Sequence, residues 1–402
     1  MPLFADPLHD EFAGWATGYI TSGGADHGEI VAIAEAFPDG GDDAAFFDAW
    51  AGAAARHQER ADDAERAGHP LTARGHLLRA AAYYGVAIHV VYGKPVDPRM
   101  HSSFNRLTAA FERSLQLGSP RAERLVVPFD GYHLPTWFVP AVGSRPGERR
   151  PIVIVNNGYD ATMADAYLGL GKAATERGYH IVLFDGPGQG ALLINEGIAM
   201  IPEWERVVTA VVDAVIDRDD VDGSRITLHG WSLGGHLAPR AATGEHRLAA
   251  VVADPALWGV LDGMRGLVGA LGFPELADDL PELPHDAAVT MTEAIAANRG
   301  LEWKLIKRGF WVNGVDDLRG YLRAIEPFTL TGRAGQIRCP VLGTAAEGDP
   351  LASGAKELLD QLSCPTTLLS FTAAEGAGRH CEMQNRWLLN SKVLDWLDDT
   401  LA

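Results

Sequence analysis

Cysteine is scarce in this chain of 402 residues: Cys339, Cys364 and Cys381 are an odd number without metal-ligand spacing. That excludes a disulfide framework and a zinc site. Basic residues are also in deficit, 34 against 53 acidic, which gives a formal net charge of −19. A surface of that sign argues against nucleic acid and anionic membranes as partners. No apolar run approaches the length of a membrane span. The first residues carry Asp6, Asp10, Glu11 and Asp26 where a leader would be basic and then apolar, so a cytoplasmic protein is expected. Internal repeats and low-complexity segments are missing too. What is present is 47% hydrophobic residues, enough for an extensive core in one large and one smaller domain.

The most informative stretch is Gly230-Trp231-Ser232-Leu233-Gly234-Gly235, a G-x-S-x-G pattern. Before it, Arg225 to His229 reads as a short buried strand; after it, His236 to Ala242 reads as the start of a helix. Strand, tight turn and helix are what a nucleophile elbow requires, with small flanking residues leaving room for the bend while the serine Oγ projects above the sheet. Ser232 is therefore the candidate nucleophile.

A serine hydroxyl needs a base, and the base needs a group to orient it. Cys339 to Ala346 reads as a buried parallel strand ending at Glu347-Gly348-Asp349-Pro350, and Thr366 to Phe371 as another, followed by Ala374 to His380 and a terminal helix around Trp387 to Leu397. Asp349 is the candidate acid and His380 the candidate base, so the order serine, acid, histidine is that of the α/β-hydrolase fold. Glu347 is the alternative acid. His236 sits four residues after Ser232 on the elbow helix and cannot reach above the sheet edge; it reads as packing, and His229 as a buried strand end. Cys381 adjoins His380, but nothing else supports a thiol nucleophile, and a free cysteine is most often a small buried hydrophobe.

Oxyanion donors are expected from the backbone N–H of Leu233 and, after the strand Pro151 to Asn157, from the turn Gly158-Tyr159-Asp160, with the Tyr159 N–H first. Asp160 also reads as the cap of a helix from Ala161 to Arg177.

Organisation shifts near residue 120. Before it, Glu29 to Phe37, Asp42 to Ala67, Pro70 to Ala87 and Met100 to Leu117 carry apolar residues at helical spacing. After it, Arg124 to Pro128 and Tyr132 to Val139 flank Phe129-Asp130-Gly131 as a hairpin, and alternating strands and helices complete a doubly wound, mostly parallel sheet. Residues 1–120 are thus expected to form a helical domain and 121–402 the α/β-hydrolase domain, with a cap insertion at about 256–330. Within that insertion Trp303, Phe310, Trp311 and Tyr321 suit either a packed helical core or an apolar substrate wall, and Trp303 and Trp311 are the candidate substrate-binding residues. Gly186-Pro187-Gly188-Gln189-Gly190 follows a strand but is not a dinucleotide fingerprint.

Several motifs together resemble one branch of the α/β-hydrolases: Asp185-Gly186-Pro187-Gly188-Gln189-Gly190, the elbow with Pro239-Arg240-Ala241-Ala242, Gly314-Val315-Asp316-Asp317, Ile337-Arg338-Cys339-Pro340 and Gly376 to Glu382. Tyr83-Tyr84 after Leu77 to Ala82 extends the likeness through the helical segment. The chain is similar to the 2,6-dihydroxypseudooxynicotine hydrolases and the fungal heptaketide-shortening hydrolases, with fermentation-respiration-switch type esterases as more distant kin. The resemblance implies a cofactor-free serine hydrolase whose N-terminal helices form a lid, acting on a ketone through C–C cleavage or on an ester. The implied substrate is a mid-sized apolar or aromatic, polyketide-like small molecule. Acyl transfer, cyclisation, an aminopeptidase-like amidase and a non-catalytic scaffold are the alternatives; a homodimer is left open. Family members also use an extra carboxylate near the substrate, for which Asp160 and Asp262 are the candidates here.

Overall fold

The computed structural model describes residues 2–145 and 147–402. Five helices come first: α1 (Pro7–Gly18), α2 (His27–Glu35), α3 (Asp43–Arg66), α4 (Pro70–His89) and α5 (Pro98–Gln116). Asp6, Asp26, Asp42 and Asp97 accept the free N–H groups at four of the five starts, each such cap contributing about 1 kcal/mol. From Ala80 to His89 every residue of α4 is buried, because α3 and α5 flank it and α1 crosses it. The helix α1 lies in a stretch that reads as mixed in sequence. Its buried residues Leu8, Phe12, Ala13 and Ala16 form only a thin apolar stripe, half of it alanine.

Eight strands follow: β1 (Glu123–Phe129), β2 (Tyr132–Val139), β3 (Arg150–Asn156), β4 (His180–Phe184), β5 (Val221–Trp231), β6 (Ala250–Asp254), β7 (Val341–Ala346) and β8 (Thr366–Phe371). They form one sheet in the order β1-β2-β4-β3-β5-β6-β7-β8. The β1–β2 hairpin turns at Asp130 and Gly131, both with positive φ (44° and 87°), the twist that suits a two-residue turn. Among the described strand pairs of this sheet, β1–β2 and β2–β4 are antiparallel and the others parallel. The central strands Ile152 to Asn156, His180 to Phe184 and Ala250 to Asp254 are buried throughout, as expected where helices cover both faces.

The chain winds from β3 to β4 on one side and on to β5 on the other, so the carboxyl ends of β3 and β5 face each other across a switch in direction, Asn156 beside Gly230. Open α/β sheets bind ligands at such a point.

Between β6 and β7 an inserted segment carries the helices Val260–Ala270, His285–Ala296 and Leu318–Ile325 and a π-helical turn at Glu302–Gly309. Leu261, Met264, Val268, Met291, Ile295 and Leu322 form an apolar cluster of their own there. Trp303, Trp311 and Val312 instead join the main core, which runs without a break from α1 through the sheet to the last helix, Arg386–Thr400. Among the described residues no helix is long and apolar enough to cross a membrane.

Candidate active site

Ser232 sits at the sharp turn between β5 and the helix Gly234–Ala242, with φ of 57°. A non-glycine residue in that region is strained, and neighbouring contacts must hold it. Its N–H donates to the Asp254 carbonyl at 2.6 Å. Gly230 is required beside it, since a Cβ there would lie 1.9 Å from the Gly234 carbonyl oxygen.

Asp349 and His380 arrive from the ends of β7 and β8. Their loops are tied together by the Gly348 N–H, which donates to the Gly378 carbonyl at 2.8 Å. His380 Nδ1 is 2.6 Å from Asp349 Oδ2, and His380 Nε2 is 3.0 Å from Ser232 Oγ. A carboxylate next to Nδ1 keeps the proton there and leaves the Nε2 lone pair facing the serine. Crowding around the ring disfavours the imidazolium, but the hydrogen bond and charge of Asp349, with Asp254 behind, outweigh that and raise the His380 pKa. Glu347, the alternative acid, accepts the Ala373 N–H at 2.8 Å instead.

The other titratable candidates have different surroundings. His236 Nδ1 meets the Leu257 carbonyl at 3.2 Å, and burial holds both His236 and His229 near pKa 4. Cys381 Sγ lies 3.4 Å from His380 Nε2, but burial keeps its thiol protonated. Asp262 is on the surface, paired with Arg265. Asp160 is not a helix cap: Thr162 caps the helix starting at Met163, in a reciprocal box with Asp165. The buried Asp160 carboxylate instead pairs with Arg308 Nη1 of the π-helical turn at 3.1 Å, with His89 Nε2 of α4 4.0 Å away. Burial alone would raise its pKa; Arg308 and His89 bring it below the ordinary value. Trp303 is buried against Phe12, rings 4.8 Å apart, and its Nε1 donates to the His89 carbonyl. Trp311 packs against Tyr92 at 4.9 Å.

The turn Gly158-Tyr159 abuts the elbow: a Cβ on Gly158 would come 2.8 Å from Ser232 Cβ and 3.0 Å from the Leu233 nitrogen. Among the described residues no protein acceptor takes the N–H of Tyr159 or of Leu233.

Sequence reasoning passed over two sets of residues here. Gln189, in the glycine-rich turn set aside as a false nucleotide signature, is fully buried against the Gly158 turn. Behind the histidine, Cys381 and Glu382 both have positive φ (52° and 49°), and Arg386 Nη1 bonds Asp254 Oδ2 at 3.1 Å and the Cys381 carbonyl at 2.8 Å. Burial, and then the charge of Asp254 and a hydrogen bond to it, push Glu382 up to about 11, so it is a neutral acid. Gln189 and Glu382 lay within the quoted motifs Asp185 to Gly190 and Gly376 to Glu382 without a role attached, while Arg386 and Asp254 lie outside them. Among the described residues no cluster suits a metal ion.

Residues 152–387 match the model of the alpha/beta hydrolase family. The chain belongs to that family. Fungal relatives run nearly its full length. Hydrolase ORFZ of Pyricularia oryzae is 30% identical over 404 residues, covering 95% of this chain and 94% of that protein. The 20-hydroxy-prefusarin hydrolase FUS2 of Gibberella moniliformis is 28% identical over 414 residues, covering 96% and 94%. Among solved structures, the 2,6-dihydroxy-pseudo-oxynicotine hydrolase has the same fold, with a TM-score of 0.74 at 23% identity, covering 96% of this chain and 95% of that one. This α/β-hydrolase is therefore an enzyme of the branch that its sequence motifs resemble.

Proposed function

We propose that this α/β-hydrolase is a serine hydrolase that cleaves a C–C bond beside a ketone, or an ester, in a mid-sized aromatic or polyketide-like molecule. The observation that carries the reading is the continuous hydrogen-bonded line from Asp349 through His380 to a Ser232 held at φ 57°. His380 Nε2 takes the Ser232 proton as Oγ attacks the carbonyl carbon, and Asp349 stabilises the imidazolium that results. The N–H groups of Leu233 and Tyr159 receive the oxyanion. The imidazolium then protonates the departing carbon or oxygen, which leaves an acyl-serine; water, activated by the same histidine, releases the acid.

The proposed polarity of the substrate is supported by an aromatic cluster that α1 and the inserted segment share. Phe12 and Trp15 of α1 and Trp303 of the insertion cluster around His89, with ring centroids within 6.3 Å of it, and Trp15 also meets Trp231 beside the nucleophile. Aromatic walls of this kind bind flat apolar molecules, and Trp303 in this cluster and Trp311 against Tyr92 are the proposed contacts. The name of the FUS2 relative points the same way. The five N-terminal helices act as a lid in this reading.

Two experiments test it. A fluorophosphonate should label Ser232 in the wild type and not in Ser232→Ala. A panel of aryl β-diketones, aryl esters and aminoacyl amides, read by mass spectrometry, should show cleavage of ketones or esters. Selective cleavage of the amides would make the enzyme a peptidase instead.

A further inference from the structure

A peptide plane ties each backbone N–H to the carbonyl of the residue before it, the two pointing in opposite directions. Whatever fixes the carbonyls of a turn therefore aims its N–H groups. In the turn beside Ser232 three successive carbonyls are fixed by side chains from elsewhere. Gln189 Nε2 donates to the Asn157 carbonyl at 2.7 Å and to the Gly158 carbonyl at 2.9 Å. Tyr92 Oη donates to the Tyr159 carbonyl at 3.0 Å.

The Gln189 amide can sit in only one orientation. Its Oε1 accepts the Gly186 N–H at 3.0 Å, and two carbonyls on the other side leave no place for an oxygen. Fully buried, it has no solvent to replace these bonds. The Gly158 carbonyl shares its peptide plane with the Tyr159 N–H. Tyr92 follows α4, so its bond joins the N-terminal helical segment to the same turn.

We infer that Gln189 and Tyr92 are positioning residues of the oxyanion hole: Gln189 fixes the peptide plane that carries the Tyr159 N–H, and Tyr92 fixes the next plane, on the far side of Tyr159, so that this N–H is held to meet charge developing on the substrate oxygen. The inference rests on the serine-hydrolase reading above. It gives the N-terminal segment a part in stabilising the transition state, beyond that of a cover.

Phosphonylation of Ser232 also builds negative charge on an oxygen, so the concentration dependence of fluorophosphonate labelling separates reversible binding (KI) from the bond-forming step (kinact) without knowledge of the natural substrate. Gln189→Glu keeps the volume but turns a donor into an acceptor; its kinact should fall about 100-fold, the scale of losing one oxyanion donor. Tyr92→Phe removes one hydroxyl, and its kinact should fall roughly 2- to 10-fold, the worth of one hydrogen bond. In both, KI should stay within about twofold, because binding before bond formation does not use the oxyanion donors. Gln189→Glu puts a carboxylate in the core and can fail to fold; Tyr92→Phe, nearly isosteric, then carries the test. Unchanged kinact in Tyr92→Phe, or kinact and KI altered in equal measure, overturns the inference while leaving the hydrolase reading intact. A wild-type Ser232 that resists labelling overturns both.

Discussion

Replacing Glu382 by glutamine removes one buried ionisable group at almost constant shape, and it should change how stability depends on pH. Glu382 is 1% exposed behind His380, facing Asp254, whose other partners are Arg386 at 3.1 Å and Thr344 at 2.9 Å. With a folded pKa of about 11 the carboxyl stays protonated in the native state, whereas in the unfolded chain it ionises near its ordinary value of 4.5. A folded pKa raised in this way favours folding fully only below the unfolded value, and that advantage is lost as pH rises toward the folded one. Between about pH 6 and about pH 9 the wild type should thus lose about 1.4 kcal/mol per pH unit relative to Glu382→Gln, roughly 4 kcal/mol over the range. The amide can still donate to Asp254, so the intercept includes small packing changes; the slope isolates the proton. Urea unfolding at four pH values, with the m-value checked for constancy, measures it. A difference between the two proteins that does not vary with pH would mean that Glu382 is ionised in the fold and that the Asp254–Glu382 pair does not share a proton.

Ser232→Ala, His380→Ala and Asp349→Asn should each abolish turnover while leaving the unfolding midpoint nearly unchanged, and a double variant should fall little below the worst single one, at a level about 10⁶ below wild type as in a serine protease triad; near-normal activity in Asp349→Asn with loss in Glu347→Gln would reassign the acid. The kcat/KM profile should lose activity as pH falls through a value above the usual histidine pKa, since neutral His380 is the base and Asp349 raises it. Asp349→Asn should shift any residual activity's acid limb to lower pH; an unshifted limb would point to another group. Deleting residues 1–118 should give an unfolded or aggregated chain, because the helices and the sheet share one continuous core. A folded, fully active truncation, checked by circular dichroism and the ester assay, would remove the lid from the proposal.

Most of the sheet was legible because its strands are short apolar runs bounded by glycine and proline: Tyr132–Val139 and Thr366–Phe371 lie where the sequence places them. The strand β5 is longer than its apolar part: it begins at Val221, opposite Arg150, and the register shifts before Ile226 meets Ile152, so Asp222 and Gly223 lie in an irregular stretch that no strand propensity would place. The meeting of Ser232, Asp349 and His380 was legible through motif order, which carries topology implicitly. The Asp160–Arg308 pair was not, since the partners are 148 residues apart and Thr162, two positions on, takes the capping role that local pattern gave to Asp160. Nor was the protonated Glu382, whose state depends on burial and on Asp254 at the end of β6, which sequence spacing does not bring beside it.

The separate apolar cluster of the inserted segment has a bearing on how such an enzyme can change. Substitutions at Met264, Val268, Met291 or Leu322 alter packing inside that cluster and touch neither the sheet nor the loops carrying Asp349 and His380. Their costs should therefore add to, and not multiply, changes made elsewhere. Around Trp303, Trp311 and Val312, and again near its two ends at Ala256, Phe328 and Leu330, the segment shares the main core. A lineage or a designer could reshape the outer part of this segment a residue at a time while the reacting centre keeps its geometry.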